Sequence, residues 1–313
     1  MSDTEAENGA TFKAGLITIV GRPNVGKSTL MNALLGEKLA ITAPRPQTTR
    51  DQIRGIVNRP GMQLVFVDTP GIHDAQKALN KVLVRRAIDA LAGVDAIVFV
   101  IDALEYVDKT IAEKGGLHKQ DTRILEMVRQ AGVPAIAVIN KIDLVRAKSR
   151  LLPIADEVTK TGLFSEVFFV SALKLDGNND LLAHLETLAP EGVPLFDPDI
   201  ISDAPIRFHV AEIVREGVFR LTRDEVPYAT VIEIERFDES VKPIEILARI
   251  VVEKSSQKGI LVGKEGDMIR RIRIGARRRI RTFLGEDVRL ELHVSVSKDW
   301  SHSDKGLRRF GLE

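Results

Sequence analysis

Gly21-Arg22-Pro23-Asn24-Val25-Gly26-Lys27-Ser28 follows the apolar run Leu16–Val20 and precedes a helical spacing of Leu30, Leu34 and Leu35 that ends at Gly36. The octapeptide fits G-x-x-x-x-G-K-[ST] in the strand, turn and helix setting that the motif requires. Glycines let backbone N–H groups close around phosphate oxygens, and the helix N-terminus adds positive potential. Lys27 then reaches the outer phosphates, and the Ser28 hydroxyl can ligate Mg²⁺. With Thr29 beside it, this stretch is the expected triphosphate site.

Outward from it, continuous apolar runs recur at Leu64–Val67, Ala96–Ile101, Ala135–Ile139 and Val167–Val170, with helical spacings between them such as Ile124 to Val128 ending near Gly132. Runs that are continuous rather than alternating suit strands buried on both faces. Residues 14–190 therefore read as an α/β domain, a mostly parallel sheet with helices on both faces. Ligands of such sheets lie beyond the carboxyl ends of the strands.

Polar motifs stand at those ends. In Asp68-Thr69-Pro70-Gly71 a carboxylate can hold Mg²⁺ and the Gly71 amide can sense a γ-phosphate. In Asn140-Lys141-Ile142-Asp143 the Asp143 carboxylate can accept from both the ring N–H and the exocyclic amino group of guanine, a pair that adenine does not offer. The wrong base would leave that carboxylate unpaired, which selects guanine and disfavours a kinase or general ATPase. Ser171-Ala172-Leu173-Lys174 offers a backbone amide to guanine O6, and Gln47-Thr48-Thr49-Arg50-Asp51 places threonines in a polar loop between the phosphate loop and Asp68.

The whole chain is nearly neutral, with 45 Lys+Arg against 44 Asp+Glu, yet Gly263 to Arg281 holds eight basic and two acidic side chains. That +6 leaves −5 for the rest and is the footprint expected for phosphate-backbone contact, although a charge run alone is more often a solvated helix face. Ile269, Ile272, Ala276, Ile280 and Phe283 recur at helical intervals through it. Strands are expected at Ile232–Ile234, Ile244–Val252 and Val288–Val296, and Ile206–Leu221 shows one apolar helix face. Two strands, a short helix, Gly263-Lys264-Glu265-Gly266, a basic helix and a third strand match the α+β KH type II arrangement, whose loop clamps about four nucleotides. Candidate RNA contacts are Gly263, Lys264, Glu265, Gly266, Arg270, Arg271, Arg273 and Arg277.

The expected organisation is a flexible N-terminus at 1–13, the nucleotide domain at 14–190, a linker at 191–204, the KH-like domain at 205–299 and a tail at 300–313. The linker lies in a stretch, Pro190 to Pro205, with four prolines. The chain of 313 residues suits about two domains. It has no cysteine, which excludes disulfide frameworks and thiolate metal sites. No apolar run approaches ~18 residues, and the acidic start does not read as a signal peptide, so a soluble cytoplasmic protein is expected. The six histidines show no metal-ligand spacing. Trp300 and Phe310, beside Arg308 and Arg309, can stack on a base, but a packing anchor for the tail is the commoner role of such isolated aromatics.

The nucleotide motifs, in their order and spacing, resemble the guanine-nucleotide domain of translation-factor-class GTPases. Together with the Gln47-Thr48-Thr49-Arg50 switch, the linker and the KH-like domain, they resemble nearly the whole length of the Era family of bacterial ribosome-assembly GTPases. The resemblance implies GTP/GDP and Mg²⁺ as ligands, a GTP-hydrolysing switch, and Thr49 as Mg²⁺ and γ-phosphate ligand, with Thr48 as the other candidate. Lys141 would stack on guanine, and Lys27, Thr49, Asp68 and Gly71 would serve hydrolysis. Ile72 stands where Ras has its water-orienting glutamine, and Asn24 resembles an asparagine that recruits K⁺ in some bacterial GTPases, which implies slow, K⁺-stimulated turnover. The resemblance further implies binding near the 3′ end of 16S rRNA in the 30S subunit, a monomer, and peripheral contact with the inner membrane. No lipidation motif or strongly amphipathic anchor accompanies that last expectation. Two alternatives are a constitutive RNA-binding protein with a structural nucleotide, and a GTPase with another RNA or protein target.

Overall fold

A computed structural model of the chain describes residues 11–42, 48–71, 78–109 and 117–312. It opens with β1 (Lys13–Val20), the phosphate loop and α1 (Lys27–Leu35), then β2 (Ile53–Arg59), β3 (Met62–Asp68), α2 (Ala78–Asp89) and β4 (Ala96–Asp102). After α3 (Ala103–Lys109) and α4 (Lys119–Ala131) come β5 (Ala135–Asn140), α5 (Leu152–Thr159), β6 (Val167–Phe169) and α6 (Asn178–Leu188). The sheet order is β2-β3-β1-β4-β5-β6. All neighbours run parallel except β2 with β3.

Helices on both faces explain the continuous apolar runs. One core layer gathers Leu30, Phe66 and Leu181, the other Phe99, Ile124 and Ile139. Phe66 and Phe99 are fully buried, and removing each such side chain from water contributes about 1.5–3 kcal/mol. This layering places Asp68, Asp102 and Asn140 at the carboxyl ends of β3, β4 and β5, on the side where the phosphate loop turns from β1 between β3 and β4.

β2 has no counterpart in the sequence expectations. It is an antiparallel edge strand in which buried Ile53 and Ile56 mix with exposed Arg54 and Arg59, so neither the continuous nor the alternating pattern stands out. The segment 191–204 lies along that edge. Ile56 N donates to the Ile201 carbonyl at 2.9 Å, and Asn58 Nδ2 and Gln63 Nε2 donate to the carbonyls of Pro198 and Phe196. The segment thereby shields strand edge groups that would otherwise stay open to pairing.

The second domain runs α7 (Ile206–Leu221), β7 (Val231–Asp238), β8 (Ile244–Val252), α8 (Ser255–Val262), α9 (Asp267–Leu284) and β9 (Val288–Val296). β8 pairs antiparallel with β7 and parallel with β9. Ile272, Ala276 and Ile280 of α9 pack with Val210, Val214 and Val218 of α7 and with β8, which leaves the arginines of α9 mostly outside. This helix, strand, strand, helix, helix, strand order is the expected KH type II arrangement. In the tail, α10 (Asp304–Arg309) follows Trp300, which is 1% exposed. Trp300 packs with Leu307, Leu312 and, from the first domain, Leu79 and Leu83 of α2, and its Nε1 donates to the Ala229 carbonyl. It is a packing anchor that joins the two halves. No described helix is long and apolar enough to cross a membrane.

Candidate nucleotide site and nucleic-acid groove

The phosphate loop is built on backbone shapes that few residues tolerate. Gly26, at φ 102°, ends it, and a Cβ there would stand 2.3 Å from Asn140 Nδ2. Glycine is thus required where α1 begins. Lys27 Nζ donates to the carbonyls of Gly21 and Arg22, both at 3.0 Å. Burial holds its ammonium down at about 8. A buried cation against two carbonyls is poised for a stronger anionic partner.

Beside it three candidate metal ligands converge. Ser28 Oγ donates to Asp68 Oδ2 at 2.5 Å, Thr49 Oγ1 donates to the same oxygen at 3.2 Å, and the two hydroxyls are 2.8 Å apart. Asp68 Oδ1 is buried without a hydrogen-bond partner, and burial raises the pKa of this carboxyl against the opposing pull of Lys27. Two hydroxyls and an under-satisfied carboxylate are an oxygen donor set that fits Mg²⁺. Thr49 supplies the hydroxyl here, while the Thr48 carbonyl accepts from Arg215.

At the far end, Asn140 acts as a tie. Its Nδ2 donates to the Val25 carbonyl at 2.9 Å and its Oδ1 accepts from Ala172 N at 3.0 Å, so one side chain fastens three loops together. Asp143 accepts from Ser171 Oγ at 2.6 Å, and Lys141, at φ 65°, lays its Nζ on the Asn24 carbonyl and Asp102. Asn24, Gly26, Lys27, Ser28, Thr29, Thr49, Gly71, Asn140, Lys141, Asp143 and Leu173 line one cleft of ≈ 580 Å³, within the range of small-molecule sites. Val25, Thr69, Ser171 and Ala172 support its walls from behind: Thr69, for example, donates to the Ile19 carbonyl. Pro70 is buried and Pro23 lies against Gly71.

Arg22 belongs to the phosphate loop through its backbone. Its guanidinium turns away to Asp121 at 2.7 Å and Glu105 at 3.0 Å. Ile72 and Gln47 lie outside the described residues. Among residues that sequence reasoning did not single out, Asp102 carried a signal, an acid directly after an apolar run. Arg215 and Arg220 of α7 carried none, because their importance comes from the other domain. Arg50 is also part of that contact: it is 3% exposed and donates to the carbonyls of Thr230 and Tyr228 at 2.6 and 2.8 Å. The Thr48–Arg50 segment is therefore held by the second domain on both sides.

The groove in the second domain has a different character. Gly263, at φ 73°, would place a Cβ 2.8 Å from Met268 N, so only glycine allows the turn into Lys264, Glu265 and Gly266. None of those four residues is buried. Arg270, Arg271 and Arg273 are exposed on α9. Arg273 and Arg277, with Ile274, Val288 and Leu290, line a cleft of ≈ 340 Å³ between α9 and β9. Arg277 is already engaged with the Val288 carbonyl at 2.7 Å and Asp287 at 3.0 Å. Arg279 turns inward to Glu216 of α7, so not all of the basic run faces solvent.

The fold and the cleft define a P-loop GTPase joined to a KH domain. Residues 16–141 match the family described as a 50S ribosome-binding GTPase, and residues 225–301 match the KH domain family. GTPase Era of Geotalea uraniireducens (strain Rf4) is 46% identical over 303 residues, covering 96% of this chain and 98% of that protein. The chain belongs to the Era GTPase family. A relative from Xylella fastidiosa (strain M12) is 41% identical over 303 residues, with 96% and 98% covered. The solved structure of Era in complex with MgGDPNP and nucleotides 1506–1542 of 16S ribosomal RNA superposes with a TM-score of 0.89 at 37% identity, covering 96% of this chain and 99% of that one. A variant of Aquifex aeolicus Era bound to GDP·AlF4⁻ gives 0.89 at 36% identity, with the same coverage.

Proposed function

We propose that this chain binds GTP and GDP with Mg²⁺, hydrolyses GTP, and uses its KH groove to hold single-stranded RNA near the 3′ end of 16S rRNA during assembly of the 30S subunit. The observation that carries the reading is the convergence of Ser28, Thr49 and Asp68 at one end of a cleft whose other end presents Asp143. The solved Era relative that holds both MgGDPNP and 16S nucleotides supports joining the two sites in one function.

The chain's own residues divide the work. Lys27 exchanges its two carbonyls for the β- and γ-phosphate oxygens, and the Gly71 amide lies where a γ-phosphate is sensed. Ser28, Thr49 and Asp68 hold Mg²⁺, which when bound neutralises charge on the β- and γ-phosphates. Asp143 reads the guanine edge, a backbone amide of the Ser171–Lys174 turn donates to its O6, and Lys141 covers the ring. On the family resemblance, Asn24 recruits K⁺, and Asn24→Asp abolishes K⁺ stimulation; unchanged stimulation removes that role. Residence in the cytoplasm as a monomer, with peripheral contact at the inner membrane, belongs to the same resemblance.

Hydrolysis makes the protein a switch only if RNA affinity differs between nucleotide states, because a ligand shifts an equilibrium by its differential affinity alone. Crosslinking the full chain to total cellular RNA, with a non-hydrolysable GTP analogue and with GDP, is the test. Enrichment of the 16S 3′ end with the analogue over GDP is the expected result. Equal binding in both states makes the protein a constitutive RNA binder, and enrichment of large-subunit RNA moves the target to the 50S particle.

A further inference from the structure

Helix α7 belongs to the second domain, yet it runs along the mouth of the nucleotide cleft. Arg215 donates to the Thr48 carbonyl, Glu216 accepts from Lys38 of the first domain at 3.1 Å, and Arg220 lines the cleft itself. These three contacts come from one and a half turns of helix, so they move together.

The charges around Glu216 do not balance. Its side chain is 1% exposed and is shared by Lys38, by Arg220 at 2.6 Å and by Arg279 from α9. Three cations around one carboxylate leave a net +2 at the cleft mouth. Burial, with Arg279 and Arg220 alongside, holds the Lys38 ammonium down at about 8, as expected where negative charge is short. Arg220 keeps a 53% exposed side chain at this position, so part of its guanidinium stays open to the cleft.

We propose that Arg220 is a nucleotide-contacting residue supplied by the second domain, and that the phosphates of GDP or GTP furnish the negative charge that the Lys38, Arg220 and Arg279 cluster lacks. The inference rests on the guanine-nucleotide reading above. It extends that reading from a cleft formed within one domain to a site completed by both. Because Glu216 also holds Arg279 of the basic helix, the same cluster ties the nucleotide to the element that carries the RNA groove. Such a coupling acts equally in both directions.

The test uses the full chain with Arg220→Lys, Arg220→Gln and Arg220→Glu, and measures displacement of a fluorescent GDP by GDP, GTP and guanosine. A half-exposed charge contact is modest, so Arg220→Gln is expected to weaken GDP and GTP roughly three- to tenfold. Arg220→Glu weakens them further, Arg220→Lys stays near wild type, and guanosine, which has no phosphate, binds equally well to all four proteins. GDP and GTP affinities unchanged in both Arg220→Gln and Arg220→Glu overturn the inference. So does a loss for guanosine equal to that for GDP, which reports a damaged fold rather than a lost phosphate contact. A wild-type chain that binds no guanine nucleotide defeats the underlying functional reading instead.

Discussion

The two ligand-facing regions are built on opposite principles. In the nucleotide cleft the working groups are withdrawn from water: Lys27 is 6% exposed and Asp68 fully buried, each held by specific partners. In the KH groove the arginines are exposed, and the strict steric demand falls on the backbone at Gly263. Buried, partnered groups interact strongly and punish a mismatch, whereas exposed charges add small, screened and interchangeable increments. The first region should therefore fail at single positions and the second should weaken by degrees.

The sharpest way to break that contrast is at the base. Asp143→Asn keeps the size of the side chain and the contact with Ser171 but replaces an acceptor facing two guanine donors. The preference for GTP over XTP is expected to move by ~10⁴, the scale at which an unpaired polar group rejects a wrong substrate. Competitive binding of the two nucleotides measures it, and a variant that still prefers GTP refutes the role given to Asp143. Next is Lys27→Ala, which removes the buried cation from the phosphate end. Single-turnover GTP hydrolysis should fall by ~10²–10³, and a rate close to wild type would mean that Lys27 only ties the loop together.

The groove should answer differently. Arg273→Ala is expected to weaken single-stranded RNA binding about threefold to tenfold and to make the slope of log affinity against log salt shallower by about 0.7. GTP hydrolysis should stay unchanged. A loss of several orders of magnitude, or a lost turnover, would show that the two regions are not built as differently as the exposures indicate.

The same contrast explains how much was legible in the chain. Residues 21–28, 68–71, 140–143 and 171–174 were readable because phosphate, metal and guanine chemistry each demand particular residue types at strand ends. The KH arrangement was readable because its alternating strands and the amphipathic α9 are local patterns. β2 was not, since a short edge strand mixes buried and exposed residues and depends on the 191–204 segment that covers it. The inward turn of Arg279 and the placement of Arg50, Arg215 and Arg220 were invisible for another reason. Arg279 meets Glu216 across its own domain, 63 positions away. Arg215 and Arg50 meet carbonyls of the other domain 167 and 180 positions away, and Arg220 lines a cleft built by the other domain. No periodicity encodes such contacts. Trp300 lies between these cases: its type indicated packing, but only the structure shows α2 as its partner.

The smallest predicted effect lies where the two regions meet. In the folded chain Lys38 is held at about 8, against an ordinary lysine value of 10.5, by burial first and then by Arg279 and Arg220. Glu216, already shared with both guanidiniums, gives it too little in return. The unfolded chain thus binds the Lys38 proton more tightly than the folded one between these two values. By linkage, this group makes folding more favourable as pH rises through that window, the reverse of what a simple ion pair with Glu216 would do. Solvent around the half-exposed side chain reduces the effect to about 0.5–1 kcal/mol. Unfolding free energies of wild type and Lys38→Met, compared near the lower and upper ends of the window, measure it. The wild type should gain on the variant as pH increases. Parallel profiles would mean that the cluster is electrically balanced without a ligand, and would remove the charge shortage on which the contact between Arg220 and the nucleotide depends.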